Sequence, residues 1–170
     1  MRVQIRRASE SDLPALVEAF GHREYFRTHL AKQDEGRGML LVAFNDRRPV
    51  GHVYVWLGPP EEPDLRKGLD DVRLLTRLEV ARPYRGRGIG TELVRAAEDV
   101  IGRVGSWVAL GVSPEEGHLH AFYERLGYRL WREELLATWR EVYHRDGRVE
   151  RIPDLCRVFV KRVRRANGTP

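Results

Sequence analysis

Cysteine, lysine and long apolar runs are scarce in this chain, and each scarcity closes off a class of protein. A single cysteine, Cys156, cannot form an internal disulfide or build a cysteine metal site, which points to a reducing compartment. No stretch approaches the roughly 18 consecutive apolar residues of a membrane span. The opening "MRVQIRRASESD" also lacks the apolar core of a signal peptide. A soluble, cytoplasmic protein without a membrane partner is expected. With no internal repeat, low-complexity tract or linker, the 170 residues read as one domain over 1–165 and a flexible tail at 166–170.

Lysine occurs only at Lys32, Lys67 and Lys161, so 27 of the 30 basic residues are arginine and the net charge is +5. Such a surplus invites a nucleic-acid reading. Against it, the arginines alternate with Asp and Glu along most of the chain, and no stacking-aromatic binding module is present. A genome biased toward arginine codons produces the same skew. The one basic block, "KRVRR" at 161–165, reads as a solvated terminus.

What is present is a regular alternation of short elements. "VQI" (3–5) reads as a strand, and Ser9 and Asp12 have capping-box spacing ahead of a helix carrying Leu13, Leu16, Val17 and Phe20. A second helix over about 22–33 carries Tyr25, Phe26 and Leu30, which suit a core or a cleft. Residues 38–57 predict an antiparallel hairpin turning at Asn45-Asp46, with Gly51 marking a bulge or a close backbone approach. The acidic, proline-bearing stretch 58–71 reads as a loop. Then follow a strand at 72–80, an amphipathic helix at 89–102, a strand at 106–112 and a helix at 116–126 stopped by Gly127. Strands near 128–132 and 155–161 complete the pattern. The order predicts an α/β (α+β mixed) fold, a mixed sheet with helices on both faces.

One stretch carries chemistry. "RPYRGRGIGTEL" (82–93) places Gly86, Gly88 and Gly90 between a strand and a helix. The first N–H groups of a helix have no internal partner and sit at the positive end of its dipole. Glycines there let an anion approach the backbone, and Arg85 and Arg87 add positive charge. The P-loop pattern fails because Thr91 follows Gly90 with no lysine, and the dinucleotide fingerprint fails on glycine spacing. On these residues alone a basic turn, a nucleic-acid contact and a phosphate loop all remain open.

The wider context narrows the choice. "LEVARPYRGRGIGTEL" resembles the acyl-CoA loop of the GNAT superfamily of N-acetyltransferases, matching at Val80, Pro83, Arg85 through Gly90, and Leu93. "AFYERLGYRL" (121–130) resembles the second signature of that family. The resemblance spans about 72–132, and the rest follows only by element order. It implies a mostly antiparallel sheet splayed between the strands at 72–80 and 106–112. It implies transfer of an acetyl group from acetyl-CoA to an amine of a small molecule or protein by direct attack. The pyrophosphate would be held by Arg85, Gly86, Arg87, Gly88, Ile89, Gly90 and Thr91, and the pantetheine arm by the strand edge at Leu78–Val80. Tyr123 corresponds to the family's general acid. Glu79 stands where the family often presents a base, an outward-facing strand residue being the alternative.

No metal is implied, since His118 and His120 lie two apart in a helix with no third ligand in view. The resemblance completes the expectation as a bacterial enzyme, a monomer or a homodimer, with no nucleic-acid partner. The rival in another class is a CoA-binding protein without turnover. Its motive is Glu116, which stands where the family commonly has Asn, while Leu119 replaces a small residue. A carboxylate cannot supply the donor half of an amide. For the acceptor, the acidic residues Glu61, Glu62, Asp64, Asp70 and Asp71 suit a cationic amine, and Tyr25, Phe26 and Trp56 suit a cleft or the core.

Overall fold

Residues 38–44 and 49–56 are apolar almost without interruption because they form two strands of a sheet covered on both faces. In the computed structural model, which describes residues 2–163, they form strands β2 (Gly38–Asn45) and β3 (Arg48–Trp56). Leu41, Ala43, Val53 and Val55 face one way, into the main core. Leu40, Val42, Phe44 and Tyr54 face the other way, against helices α1 (Leu13–Phe20) and α2 (Arg23–Asp34). Gly51 is a site of close approach: a Cβ there would come within 2.9 Å of Leu93 Cδ1 and 3.3 Å of Glu79 O.

Around this hairpin the sheet gathers β1 (Gln4–Arg7), β4 (Val72–Val80), β5 (Trp107–Val112), β6 (Arg129–Leu130), β7 (Leu136–Tyr143) and β8 (Val149–Arg162). Strand order is β1-β2-β3-β4-β5-β8-β6, with β7 paired to the distal part of β8. Among the described residues only β4 and β5 pair in parallel. Helix α4 (Ile89–Gly102) packs its apolar stripe, Ile89, Leu93, Val94, Ala97 and Ile101, on the face opposite α1 and α2. Helix α5 (Gly117–Arg125) shares that face. It ends in a Schellman motif at Gly127 (φ 95°), where Gly127 N–H bonds Glu124 O and Tyr128 N–H bonds Tyr123 O, both at 3.0 Å.

Two segments differ from the sequence expectation. The 58–71 loop contains a short helix, α3 (Pro63–Gly68), whose Leu65 is buried, with Leu69 just beyond it, beside Val72 and Ala109. Proline at the helix start loses no hydrogen bond, so its presence favours a helix there as readily as a loop. Residues 136–162 form a hairpin of two long strands, of which only the end was anticipated. The basic block also begins inside β8: Lys161 Nζ pairs with Glu98 Oε1 at 3.1 Å and donates to Leu126 O at 2.8 Å. Arg164, Arg165 and the 166–170 tail lie outside the described residues. Among the described residues, no helix is long and apolar enough to cross a membrane.

The feature that positions a site is the divergence of β4 from β5. They pair only from Val72–Trp107 to Leu74–Ala109. Beyond that point β5 stays with β8 as far as Val112, while β4 stays with β3 as far as Val80. A bulge sits in the diverging half of β4. Between the pairs His52–Glu79 and Tyr54–Thr76, β3 has one residue, Val53, whereas β4 has two, Arg77 and Leu78. Arg77 takes up the extra length with a left-handed backbone, φ 52°.

Candidate active site

After the bulge, alternation along β4 separates the site residues by face. Leu78 and Val80 pack with the core under α4 and α5, which also holds Tyr123. Glu79 points to the opposite face, where His52 of β3 meets it. His52 is wholly buried, edge-on to the rings of Phe20 and Phe26 at 4.8 and 5.0 Å. That apolar setting lowers its pKa, so the imidazole is neutral at pH 7. A carboxylate can only accept, so the 3.0 Å contact is His52 Nε2–H donating to Glu79 Oε1. This bond is the main reason the Glu79 carboxyl is held below its ordinary range and stays ionised. His52 Nδ1 is buried without a partner among the described residues.

Tyr123 of α5 lies on the other face of the sheet, in the main core. Its ring is buried edge-on against Phe122 and Tyr128, with centroids at 5.0 and 5.6 Å. Burial pushes its hydroxyl up to about 12, which keeps it protonated as a donor. The two residues read from the sequence as catalytic therefore lie on opposite faces of the sheet, Tyr123 on the side of the main core and Glu79 on the side of His52. His52 was missed. The only signal for it was a lone titratable side chain in an otherwise apolar strand.

The glycine loop sits at the N-terminus of α4, beside the end of β4. Gly86 and Gly88 have φ of 76° and 84°, and a Cβ on either would meet nothing within 4 Å. Backbone conformation, not crowding, calls for glycine here. The first intrahelical bond at this end runs from Glu92 N–H to Gly88 O, so the N–H groups of Ile89, Gly90 and Thr91 have no intrahelical acceptor. The arginines have local work: Arg85 Nε donates to Val80 O at 2.9 Å, tying the loop to β4, and Arg87 lies 5.5 Å over the Tyr84 ring. Together the open N–H groups and the unpaired β4 edge fit an extended molecule with a phosphate group.

On the Glu79 face, α2, the β4 bulge and the β7 hairpin enclose a cleft of about 860 Å³ lined by Tyr25, Arg77 and Tyr143 among others. A second cleft of about 450 Å³ reaches Trp56, Gly111 and Cys156. Of the aromatic candidates, Tyr25 and Trp56 border these clefts, whereas Phe26 is wholly in the core. Three of the acidic residues are engaged, two of them by the hairpin. Glu61 pairs with Arg151 at 2.6 Å, Asp64 with Arg132 at 3.7 Å, and Glu62 accepts from Thr138 Oγ1 at 2.8 Å.

The remaining sequence candidates have structural positions. Glu116 starts α5 through its backbone, accepting from Leu119 N–H at 3.0 Å, while its side chain makes no capping bond. Leu119 packs on the core. His120 contacts Ser113 O at 3.2 Å and His118 is exposed. Cys156 is buried in β8, its thiol pushed up to about 11.

The family model described as the acetyltransferase (GNAT) family matches residues 4–128. The chain belongs to the GNAT acetyltransferase family. A curated relative, N-alpha-acetyltransferase 30 of Schizosaccharomyces pombe, is 30% identical to this GNAT protein over 103 residues. That match covers 58% of this chain and only 65% of the relative's length. The fold is similar to that of the PaiA N-acetyltransferase of Thermoplasma acidophilum in complex with coenzyme A. The TM-score is 0.67 at 15% identity, over 95% of this chain and 99% of that one. It is equally similar to a ribosomal-protein-alanine N-acetyltransferase from Brucella melitensis. Here the TM-score is 0.68 at 21% identity, over 94% of this chain and 99% of that one. At these identities the structural likenesses establish the fold.

Proposed function

We propose that this GNAT protein transfers an acetyl group from acetyl-CoA to a primary amine by direct attack, with no covalent enzyme intermediate. The observation that carries the reading is the β4–β5 gap, with an ionised carboxylate on one face and a protonated phenol on the other. Acetyl-CoA supplies a thioester. The backbone N–H groups of residues 85–91 suit its pyrophosphate, and the open edge at Leu78–Val80 suits its pantetheine amides by strand addition.

Glu79, held ionised by His52, accepts the proton that an ammonium acceptor must lose, through water. Tyr123 donates to the departing sulfur. The C–N bond forms as the C–S bond breaks, and CoA leaves as the thiol. A protein α-amine is favoured as acceptor over a small molecule, supported by the names of the yeast relative and the Brucella neighbour. The lone buried Cys156 and the interleaved charge support a reducing, cytoplasmic setting without nucleic acid.

Two measurements test this. Acetyl-CoA raises the melting temperature by mass action once it exceeds its Kd, and no shift at millimolar acetyl-CoA would sink the proposal. A thiol-release screen across peptide N-termini, amino acids, polyamines and aminoglycosides gives turnover with at least one amine. Binding with no release from any of them would leave the non-catalytic rival standing.

A further inference from the structure

Four arginines converge on the larger cleft, and both carboxylates that line it are already engaged. Arg23 comes from the start of α2, Arg77 from the β4 bulge, and Arg140 and Arg145 from β7 and the turn after it. None of the four holds an ion pair among the described residues. Of the acids, Glu24 is paired with Arg27 at 3.4 Å, and Glu141 accepts from the Tyr143 hydroxyl. The cavity lining therefore carries a net positive charge, four arginines against two carboxylates.

The cleft adjoins Glu79. Arg77 lies two residues before Glu79 and covers the Tyr25 ring at 4.1 Å. His22 and Arg77 also both act electrostatically on the Glu79 carboxyl. The backbone is strained here as well: of the four described non-glycine residues with positive φ, His22 and Arg77 both border this cavity. Such conformations persist where surrounding structure enforces them, commonly at ligand sites.

We propose that this cleft selects acceptor amines that carry carboxylates close to the amine, in particular acidic peptide N-termini, and rejects polycationic amines. The proposal rests on the acetyl-transfer reading above, because it assigns the acceptor of that same site. A planar guanidinium matches a carboxylate bidentately, so the arginines fix orientation as well as charge. The same field disfavours a bound ammonium, so it assists deprotonation to the nucleophilic amine. At about 860 Å³ the cavity has room for several residues of an extended peptide.

The test uses peptides of one length whose second and third residues are both Asp, both Asn or both Lys, with free aspartate as the small-molecule arm. Each is assayed for thiol release and, by fluorescence polarisation, for binding to the acetyl-CoA-loaded protein. The Asp peptide is expected to exceed the Asn peptide by about tenfold in kcat/KM and in affinity, with the Lys peptide weakest. The double variant Arg140→Glu/Arg145→Glu, both exposed positions, abolishes or inverts that order. Equal use of Asn and Asp peptides overturns the proposal, as does a double variant that keeps the wild-type order. Preferential binding without thiol release upholds the cleft and removes the transferase reading. Turnover without preference does the reverse. Free aspartate used in preference to every peptide overturns the peptide assignment.

Discussion

His52 Nε2 lies 3.0 Å from Glu79 Oε1, joining an imidazole sealed among aromatic rings to a carboxylate at the edge of a gap in the sheet. The partners are 27 residues apart in sequence and meet through the β3–β4 register. His52 is wholly buried and reaches the site only through Glu79, so it is a positioning residue that keeps Glu79 ionised. Replacing it with Phe removes the bond, and the Glu79 pKa rises. The acid limb of the kcat/KM profile then moves to higher pH. His52→Gln, which retains an N–H donor, restores part of the profile. The loss at neutral pH should be smaller than the roughly 10²-fold or more expected for Glu79→Gln. An acid limb that stays in place in His52→Phe would detach Glu79 from the pH dependence.

Two buried histidines make the fold acid-labile. His29 lies 4.0 Å from the Tyr25 ring centroid and donates through Nδ1 to Tyr25 O at 2.8 Å, and burial lowers its pKa to about 4. His52 is lowered for the same reason. Both are neutral when folded but take up a proton in the unfolded chain below about pH 6.5. Their contribution is therefore complete above that value and is lost as pH falls toward 4, with His29 alone accounting for about 3 kcal/mol. Urea midpoints should fall steadily between pH 7 and pH 4.5, and His29→Gln should flatten the slope. A midpoint constant over that range contradicts the assignment.

Tyr123→Phe removes one hydroxyl from a ring that otherwise keeps its contacts with Phe122 and Tyr128. If the phenol donates to the leaving sulfur, kcat drops about 10²-fold or more while the acetyl-CoA thermal shift is preserved. A loss of the thermal shift with little change in kcat would instead make Tyr123 a cofactor-packing residue.

The β4–loop–α4 unit could be read at its true bounds because its signals are local. An apolar strand, three glycines and a stripe recurring at helical spacing sit in one continuous stretch. The β7–β8 hairpin gave a weaker signal. Its two strands pair mainly with each other and stay largely exposed, so Arg and Glu dilute the alternation, and Pro153 interrupts it. One clue was present. Asp146-Gly147 is a hairpin turn pair, and Gly147 adopts φ 87° with Arg148 N–H bonded to Asp146 Oδ1 at 2.9 Å. Missing that hairpin hid Arg140, Glu141 and Tyr143, and with them one wall of the larger cleft. The family pattern singled out Glu79, but its partner His52 carried no such signal. The His52–Glu79 pairing depends on a long-range register with a bulge beside it.

Gly88 separates conformation from binding. At φ 84° an alanine meets no atom within 4 Å, so Gly88→Ala should cost about 1–2 kcal/mol of stability from backbone strain alone. Gly88→Asp bears the same strain and adds a negative charge where the proposal places the pyrophosphate. Acetyl-CoA affinity, measured by titration calorimetry, should fall far more in Gly88→Asp than in Gly88→Ala. Equal affinities in the two variants would mean that the loop is only a turn.

Arg77→Gly sets strain against function at the β4 bulge. Glycine accepts φ 52° freely, which recovers about 1–2 kcal/mol. Against that, the added freedom of the unfolded chain costs about 0.5–1 kcal/mol, and loss of the cation over the Tyr25 ring about as much again. These effects nearly cancel, so the melting temperature should move little. The acceptor KM should nevertheless rise several-fold, because the variant removes the guanidinium nearest Glu79 in sequence while leaving the glycine loop intact. An unchanged acceptor KM would show that the bulge shapes the strand without contacting the acceptor. A melting temperature lowered by ten degrees would show that the arginine stabilises the sheet far more than one cation–π contact allows.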